Sequence, residues 1–225
     1  MSFNIAIDGP AGAGKSTIAK ALARTMDFVY FDTGATYRAL AYFVVESELD
    51  PDDEQEISNQ IPKAEVSIRY ENREQQVYVN GKNVTAHLRE EKIGNTASKI
   101  SAYKAVRAQL LSLQQDIAKT TDIIMDGRDI GTCVLPNAQV KIFLTASVET
   151  RAKRRFKELM EKGENPDLEK IKQDIAERDH RDMTRAISPL KQAEDAVLVD
   201  TSDMSIEEVV KHILSVVEEK RKQAE

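Results

Sequence analysis

The chain has 225 residues, 31% of which are charged, and carries a formal net charge of −6 at pH 7. This length suits one α/β domain with an ample core, and the acidic balance argues against a nucleic-acid partner. No apolar run in the sequence approaches the length of a membrane span, so we expect a cytoplasmic protein that does not contact a membrane. The single cysteine, Cys133, excludes a disulfide framework, and its apolar neighbours predict that it packs in the core.

Short apolar segments alternate with helical segments along most of the chain. This alternation is typical of βαβ units and predicts a parallel sheet with helices on its faces. The predicted strands span residues 3–8, 28–31, 122–126, 140–144 and 196–199. The predicted helices span residues 15–26, 36–48, 93–120, 148–162, 168–184 and 206–220.

The alternation is interrupted between residues 50 and 88. An acidic linker that contains a proline leads to three predicted strands, at residues 64–70, 75–79 and 82–84. The pair Asn80-Gly81 lies between the last two strands and is a strong hairpin signal, so we predict a small antiparallel insertion. A second irregular stretch, residues 163–167, separates two charged helices as the tip of a lid would.

Residues 9–16 read Gly-Pro-Ala-Gly-Ala-Gly-Lys-Ser, between the first predicted strand and the first predicted helix. In this context the pattern predicts a phosphate-binding loop. Glycines let the backbone approach a polyphosphate, Lys15 can reach the β- and γ-phosphates, and the Ser16 hydroxyl is a candidate Mg²⁺ ligand. We therefore predict a nucleoside triphosphate site. It consists of Gly9, Pro10, Ala11, Gly12, Ala13, Gly14, Lys15, Ser16 and Thr17.

The second predicted strand leads into Asp32 and Thr33, at the sheet edge where α/β proteins bind ligands. Either residue could instead serve as the N-cap of the following helix. Arg38, about one turn into that helix, suits either an acceptor phosphate or an exposed surface position.

The third strand of the main sheet ends at Asp126 and is followed by Arg128 and Asp129. Asp126 is a candidate second oxygen ligand of Mg²⁺, although Ser16, phosphates and water can hold the ion alone. An arginine and an aspartate beside a triphosphate site suit a substrate that carries both a phosphate and a polar base.

Two further groups of charged residues lie on the later helices. One group shares a helical face through its i, i+4 and i+7 spacing: Arg178, Asp182 and Arg185. The other group precedes the lid tip: Arg151, Arg154 and Arg155. Such groups form either solvated, salt-bridged helix faces or a set of arginines that closes over a transferring phosphoryl group.

These motifs together resemble those of the bacterial cytidylate kinases over nearly the whole chain. The resemblance is carried by the phosphate loop, Asp-Thr-Gly-Ala-Thr-Tyr-Arg at 32–38, Asp-Gly-Arg-Asp-Ile-Gly at 126–131, Val-Lys-Ile-Phe-Leu at 140–144 and Arg-Asp-x-Arg-Asp-x-x-Arg at 178–185. It implies an α/β phosphate-loop NTPase fold with a central parallel sheet flanked by helices, a small antiparallel β insertion and a short helical lid. The expected organisation is one kinase domain at 1–225, with its core at 1–49 and 89–225, the insertion at 50–88 and the lid at 155–170.

The resemblance also implies an activity and a set of site residues. The γ-phosphoryl group of ATP would pass, with Mg²⁺, to CMP or dCMP in pyrimidine nucleotide metabolism. The catalytic residues would be Lys15, Arg128, Arg154 and Arg185. Thr33, Ser98, Arg107 and Asp129 would surround the cytosine. Arg38, Arg128 and Arg185 would hold the monophosphate, and Arg178 with Asp182 would contact the sugar. Nothing in the sequence resembles an obligate interface, so we expect a monomer.

Two other functions remain open at this point. A kinase of the same fold could act on UMP, AMP or a shikimate-like alcohol. A regulatory GTPase would need a guanine-binding Asn-Lys-x-Asp motif, which the sequence lacks.

Overall fold

The computed structural model describes residues 2–224, in which helices and strands alternate except in the middle of the chain. The elements are β1 (Asn4–Asp8), α1 (Lys15–Met26), β2 (Val29–Asp32), α2 (Thr33–Glu46), α3 (Glu54–Gln60), β3 (Val66–Glu71), β4 (Glu74–Val79), β5 (Lys82–Asn83), α4 (Glu91–Ile100), α5 (Lys104–Thr120), β6 (Ile123–Gly127), β7 (Val140–Thr145), α6 (Val148–Glu161), α7 (Leu168–Thr184), β8 (Val197–Asp200) and α8 (Ile206–Ala224).

The central sheet has five strands in the order β2-β6-β1-β7-β8. Strands β1 and β7 pair in parallel with Ile5 opposite Val140, and β7 pairs in parallel with β8 through Ile142 and Val197. A parallel sheet is covered by helices on both faces, which is why its strands are nearly continuous apolar runs in the sequence. The α/β fold class with a central parallel sheet is confirmed.

The predicted antiparallel insertion is also present, as a three-stranded sheet in the order β3-β4-β5. Its second hairpin turns at Asn80 and Gly81, whose φ angles of 49° and 80° are both positive. Such a pair of angles is what a two-residue hairpin turn requires, and it explains the Asn-Gly signal. The first hairpin turns at Asn72 and Arg73, again with positive φ, although no glycine marks that turn in the sequence.

The chain divides into two compact units. The first contains residues 29–123, and the second contains residues 3–28 and the chain from Ile124 onward. The predicted division into core, insertion and lid follows other boundaries and stays a prediction.

Each unit has its own apolar core. In the first unit α2 is buried against the insertion and against α4 and α5, through residues that include Leu40, Val44, Ile57, Val77, Ile93 and Leu110. In the second unit the strands and the apolar faces of α1 and α8 are buried, through residues that include Ile5, Ile7, Leu22, Ile124, Ile142, Leu144 and Ile213. Burying a Leu or Ile side chain contributes about 1.5–3 kcal/mol.

The predicted helix at 93–120 is wrong in one respect, because the structure has two helices there, α4 and α5, which are separated at residues 101–103. Tyr103 is extended, with φ −81° and ψ 133°. Its hydroxyl donates a 2.8 Å hydrogen bond to the carbonyl of Pro51, and the Ser101 hydroxyl donates to the carbonyl of Ser98. These hydrogen bonds, made by side chains, compete with the backbone bonds of a continuous helix. The break therefore requires no glycine or proline, and no signal in the sequence marks it.

Two other features differ from the expectation. The acidic linker contains an unpredicted helix, α3, whose first turn is capped by the Asp53 carboxylate accepting from the amide of Glu56 at 2.9 Å. Cys133, predicted in the core, is exposed. It lies in a single π-helical turn, Ile130–Val134, that buries Ile130 and Val134 and directs the residue between them to solvent.

Among residues 2–224, no helix is both long enough and apolar enough to span a bilayer.

The close approach of the phosphate loop to β7 gives a stability prediction. A Cβ at Gly9, where φ is 149°, would lie 1.9 Å from the backbone oxygen of Leu144, so Gly9→Ala must displace backbone. We expect a loss of about 3 kcal/mol or more in the free energy of unfolding, measured by urea denaturation. In helix α4, a Cβ at Gly94 meets no atom within 4 Å, and Gly94→Ala should stabilise by up to about 1 kcal/mol. Equal stability of the two variants would contradict this packing.

Candidate functional site

The phosphate loop joins β1 to α1 in the second unit. Gly12 and Gly14 have φ angles of 76° and 93°, which favour glycine, and Gly14 immediately precedes the first turn of α1. Gly14 offers no side chain to cap this turn, so the first amides of α1 are available to an anion. Together with the helix dipole, such amides favour a phosphate at this position. The geometry therefore fits the phosphate site predicted for residues 9–17.

Lys15 begins α1 and is buried, with 6% of its surface exposed. Its Nζ donates a 2.8 Å hydrogen bond to the carbonyl of Pro10, so the side chain folds back over the loop. Burial, and next the positive charge of Arg128, lowers the pKa of Lys15 to about 7, while Asp126 and Asp8 oppose this shift. An anion that binds beside a buried amine with cationic neighbours stabilises the charged, protonated form of that amine.

Asp8 ends β1 and is also buried, with 4% of its surface exposed. Its Oδ1 accepts from the amide of Ile130 and its Oδ2 from the amide of Gly131, each at 2.7 Å. Burial raises the pKa of Asp8 to about 6, although the two amides and Lys15 lower it and Asp129 raises it further. Sequence reasoning did not single out Asp8, because only the folded chain brings it to residues 130 and 131.

Ser16 and Asp126 provide two oxygen atoms beside the loop. The Ser16 Oγ donates a 3.0 Å hydrogen bond to Oδ2 of Asp126, which lies in β6 and is 5% exposed. Hydroxyl and carboxylate oxygens are the ligands that Mg²⁺ prefers, and the ion usually keeps water and substrate phosphates as its other ligands. The pair fits such an ion. Among residues 2–224, no group of three or more His, Cys, Asp or Glu forms a metal site of its own.

A cluster of charged side chains joins the turn after β6 to α7. The Nε of Arg128 donates to Oδ2 of Asp182 at 2.9 Å, and Nη2 of Arg185 lies 3.7 Å from Oδ1 of Asp129. Burial alone would raise the pKa of Asp182, but the guanidinium of Arg128, assisted by Arg178 and Arg185, holds it below its usual value. The structure thus brings these five residues together.

The predicted position of Arg185 on a helical face needs a correction. Helix α7 ends at Thr184, and Arg185 is extended, with φ −59° and ψ 141°. Its Nε donates a 2.7 Å hydrogen bond to the carbonyl of Ser188, which holds the side chain beyond the end of the helix. Arg178 and Asp182 do lie on α7, one turn apart.

The three arginines that precede the lid tip have different environments. Arg151 is 3% exposed and binds Asp179 through two bonds, of 3.0 and 2.5 Å, and also donates to the carbonyls of Ala11 and Ala146. All of its nitrogens are therefore used within the protein. Arg155 forms a surface ion pair with Glu158.

Arg154 lies close to the phosphate loop. It donates to both the hydroxyl and the carbonyl of Thr201, at 3.2 and 2.7 Å. The Thr201 hydroxyl also lies 3.3 Å from the loop carbonyl of Ala13, and a Cβ at Gly14 would lie 4.0 Å from Nη1 of Arg154. Arg151 also reaches the loop, through the carbonyl of Ala11, but its guanidinium is engaged by Asp179, whereas these bonds of Arg154 are to Thr201.

In the first unit, Asp32 holds Arg38. Oδ1 of Asp32 accepts from the amide of Ala35 as the N-cap of α2, and Oδ2 accepts from Nη2 of Arg38 at 2.8 Å. A Cβ at Gly34 would lie 3.0 Å from Nη1 of Arg38, so the glycine leaves room for this fold of the side chain. The buried Nε of Arg38 has no hydrogen-bond partner within residues 2–224. Thr33, 3% exposed, is the first residue of α2.

The other predicted base-binding residues lie on α4 and α5. Ser98 is half-buried, and its carbonyl accepts from Ser101. Arg107 donates to the carbonyl of Ser101 at 3.1 Å, and its guanidinium carbon lies 5.5 Å from the ring centre of Tyr37. Tyr37 was not predicted as a site residue; its place between Thr33 and Arg38 on α2 was the available signal.

The insertion is joined to the end of β2 by two side chains. Oε1 of Gln75 accepts from the amide of Asp32 at 2.8 Å, and its Nε2 donates to the carbonyl of Asp32 at 3.2 Å. The Tyr70 hydroxyl donates to the carbonyl of Tyr30 at 3.2 Å. Gln75 thus pairs with Asp32 as a neighbouring strand would. No sequence motif indicated either contact.

The predicted residues are therefore divided between the units. The second unit contains the phosphate loop, Arg128, Asp129, Arg154, Arg178, Asp182 and Arg185. The first unit contains Thr33, Arg38, Ser98 and Arg107.

Comparisons with known proteins identify the family of the chain. The family model described as cytidylate kinase matches residues 5–219. A cytidylate kinase from Listeria welshimeri is 54% identical over 217 residues, which is 96% of each chain. One from Lactobacillus johnsonii is 48% identical over 220 residues, covering 98% of this chain and 96% of the relative. Among solved structures, a gluconokinase from Sinorhizobium meliloti has a TM-score of 0.51 and 12% identity, covers 99% of this chain and 98% of its own, and shows the fold alone. The match of the family model and of these relatives over nearly all residues places the chain in the cytidylate kinase family.

Proposed function

We propose that this protein transfers the γ-phosphoryl group of ATP to CMP or dCMP and releases ADP and CDP or dCDP. The observation that carries this proposal is the similarity, at 48–54% identity over at least 96% of the chain, to relatives named cytidylate kinase. The contacts of the two units supply a physical account of how the residues would act.

The donor side uses the phosphate loop. The amides at the start of α1 would bind the β-phosphate of ATP, and Lys15 would leave the carbonyl of Pro10 to reach the β- and γ-phosphates. Ser16 and Asp126 would hold Mg²⁺, which neutralises phosphate charge when bound. Arg154 would add positive charge from beside the loop.

The acceptor side uses arginines that the protein already holds in place. Arg128, fixed by Asp182, and Arg185, fixed by the carbonyl of Ser188, would bind the monophosphate. Arg38 would do the same, since its buried Nε still needs an acceptor. A planar guanidinium binds a phosphate through two parallel hydrogen bonds, and prior positioning lowers the entropy that this costs.

Cytosine recognition would combine one acceptor with several donors. Asp129 would accept from the exocyclic N4 amine, while Arg107, Ser98 and Thr33 would donate to O2 and N3. Uracil has a carbonyl oxygen in place of that amine and a proton on N3, so both kinds of contact would be mismatched. Buried unpaired polar groups make such discrimination strong. Arg178 and Asp182 would contact the sugar.

The transfer itself needs alignment more than proton removal. An oxygen of the CMP phosphate, already anionic, attacks the γ-phosphorus, and the bond from that phosphorus to the β,γ-bridging oxygen breaks, which leaves ADP. No strong general base is required. The cationic side chains offset the charge of two phosphates held in line.

A cytoplasmic location, a monomeric state and the lack of nucleic-acid or membrane partners stay predictions. The acidic composition, with a formal net charge of −6, supports only the expectation of no nucleic-acid partner.

The substrate assignment is tested by ADP release with saturating ATP and a panel of CMP, dCMP, UMP, AMP and shikimate. We expect CMP and dCMP to exceed UMP in kcat/KM by about 100-fold or more, because a site that pairs with polar groups rejects a mismatch strongly. A preference for UMP, AMP or shikimate would overturn the assignment. ADP release without any acceptor would favour a nucleotide hydrolase.

Arg128→Ala should impair the use of CMP much more than the use of ATP. Removal of an arginine that binds phosphate and is held by a buried acid should lower kcat/KM for CMP by about 100-fold. The KM for ATP should change less than about threefold, because Arg128 is assigned to the acceptor. Arg24→Ala, an exposed arginine in the last turn of α1, is the control and should match the wild type. Equal loss of ATP and CMP handling would contradict this division.

Lys15 gives a pH-dependent prediction. With a pKa of about 7 before ATP binds, Lys15 is mostly neutral at pH 8, whereas bound phosphates favour its charged form. ATP binding at pH 8 should therefore take up a proton, at most about one per site, and affinity should rise as pH falls from about 9 towards 7. Calorimetry in buffers of different ionisation enthalpy measures this uptake. Lys15→Met should lose it, and undiminished uptake in that variant would assign the proton to another group.

A further inference from the structure

We propose that Asp8 is a positioning residue of the kinase reaction, whose carboxylate fixes the turn that carries Arg128 and Asp129 and so sets the preference for cytosine. This inference rests on the proposed function, since it takes Asp129 as the group that faces the base. It concerns a residue that contacts no substrate in that account.

The contact between Asp8 and the turn is short and double. Each carboxylate oxygen accepts from one amide, Oδ1 from Ile130 and Oδ2 from Gly131, and both distances are 2.7 Å. Bonds to an ionised acceptor are about twice as strong as neutral ones. With 4% of its surface exposed, Asp8 has little competition from water. Its two bonds therefore determine where the backbone of the turn lies.

The turn has no capping side chain of its own. Residues 130–134 form a single π-helical turn, and the side chain of Asp129 does not cap it. Buried amides need an acceptor, and an unsatisfied one costs about 1–3 kcal/mol. Asp8 satisfies two of them from more than 120 residues away in sequence. Asp129, with φ −145° and ψ 28°, therefore precedes a turn whose first two amides are satisfied by Asp8 and not by its own side chain.

Packing below the turn leaves it little freedom. A Cβ at Gly131 would lie 3.1 Å from Cδ of Lys141 and 3.4 Å from Oδ2 of Asp8. The Lys141 ammonium is itself held by the carbonyl of Pro136 at 2.6 Å and by Asp195 at 2.9 Å. The peptide of Gly131 thus lies between a carboxylate and a fixed lysine stem.

Asp8 also interacts with the donor side of the site. The charges of Lys15 and Asp129 both act on its carboxyl group, and Asp8 in turn favours the charged form of Lys15. A change at Asp8 therefore affects ATP handling as well as the turn. An effect of Asp8 on ATP cancels in the ratio of kcat/KM for CMP to kcat/KM for UMP, because ATP is the phosphoryl donor in both assays.

The test is Asp8→Asn. Its amide nitrogen is a donor that would face one of the two backbone N–H donors, so the turn must shift. We expect the CMP-to-UMP ratio to fall by at least about tenfold, with weaker CMP binding in calorimetry. A merely structural role would lower the melting temperature and leave this ratio unchanged, which would overturn the proposal.

Two controls separate the possible outcomes. Lys141→Met removes a buried charge from the adjacent strand and keeps the stem below Gly131, so it should lower stability without changing the ratio. Asp129→Ala should abolish the preference. If Asp129→Ala keeps the preference, the proposed cytosine contact is wrong; if it loses the preference while Asp8→Asn keeps it, the inference about Asp8 alone is wrong.

A second variant covers the case in which Asp8→Asn does not fold. Gly131→Ala retains the carboxylate and places a Cβ 3.1 Å from Cδ of Lys141, whose ammonium is held in place, so we expect the turn to shift by a few tenths of an ångström. Circular dichroism should show a folded protein, and the CMP-to-UMP ratio should fall by about threefold or more. A folded Gly131→Ala enzyme with the wild-type ratio would refute the proposal.

Discussion

Buried carboxylates that must find partners determine the arrangement of the second unit. A carboxylate removed from water costs several kcal/mol unless charged or hydrogen-bonding groups compensate it. Asp8 is compensated by two backbone amides and Asp182 by Arg128, and the half-buried Asp179 pairs with the buried Arg151. In each case the group that satisfies the acid belongs to another element. The requirement for pairing therefore places the functional turn, an arginine and the phosphate loop at defined positions.

These pairs also explain why arginines can approach one another before substrate is present. The positive charges of Arg128, Arg178 and Arg185 all interact favourably with the carboxylate of Asp182. Near Lys15, the negative charges of Asp8 and Asp126 partly offset the repulsion between cationic groups. The resulting site is neither fully satisfied nor strongly repulsive. On the proposed function, phosphates would replace interactions that acids and carbonyls make with side chains already held in position. Such preorganisation is the main source of electrostatic catalysis.

The parts of the structure that sequence patterns predict are those with local causes. The phosphate loop depends on glycines that permit positive φ, and the Asn80-Gly81 turn has the same kind of cause. Strand ends followed by Asp32 and Asp126 could be placed at one sheet edge because parallel strands share their direction. Similarity to relatives identifies the family of the chain. The contacts of individual site residues are visible only in the folded structure.

What the sequence did not predict depends on contacts between distant segments. The break at residues 101–103 follows from bonds of Tyr103 and Ser101, neither of which is a helix breaker. Arg151 and Arg154 lie one turn apart on the same predicted helix, yet Arg151 is enclosed by Asp179 and backbone carbonyls and Arg154 bonds Thr201. Cys133 has apolar neighbours in sequence and faces solvent because a π-helical turn rotates it outward.

The pairing of Gln75 with the backbone of Asp32 has a consequence for how the insertion can evolve. Asp32 caps the start of α2 and orients Arg38, and the Gln75 side chain bonds both the amide and the carbonyl of Asp32. The hairpin turns at residues 72–73 and 80–81 lie outside this contact, and their positive φ angles limit which residues they accept. Position 75 is limited by the contact itself: a graft of a foreign insertion onto this scaffold would have to reproduce the Gln75 amide or leave the amide and carbonyl of Asp32 to water.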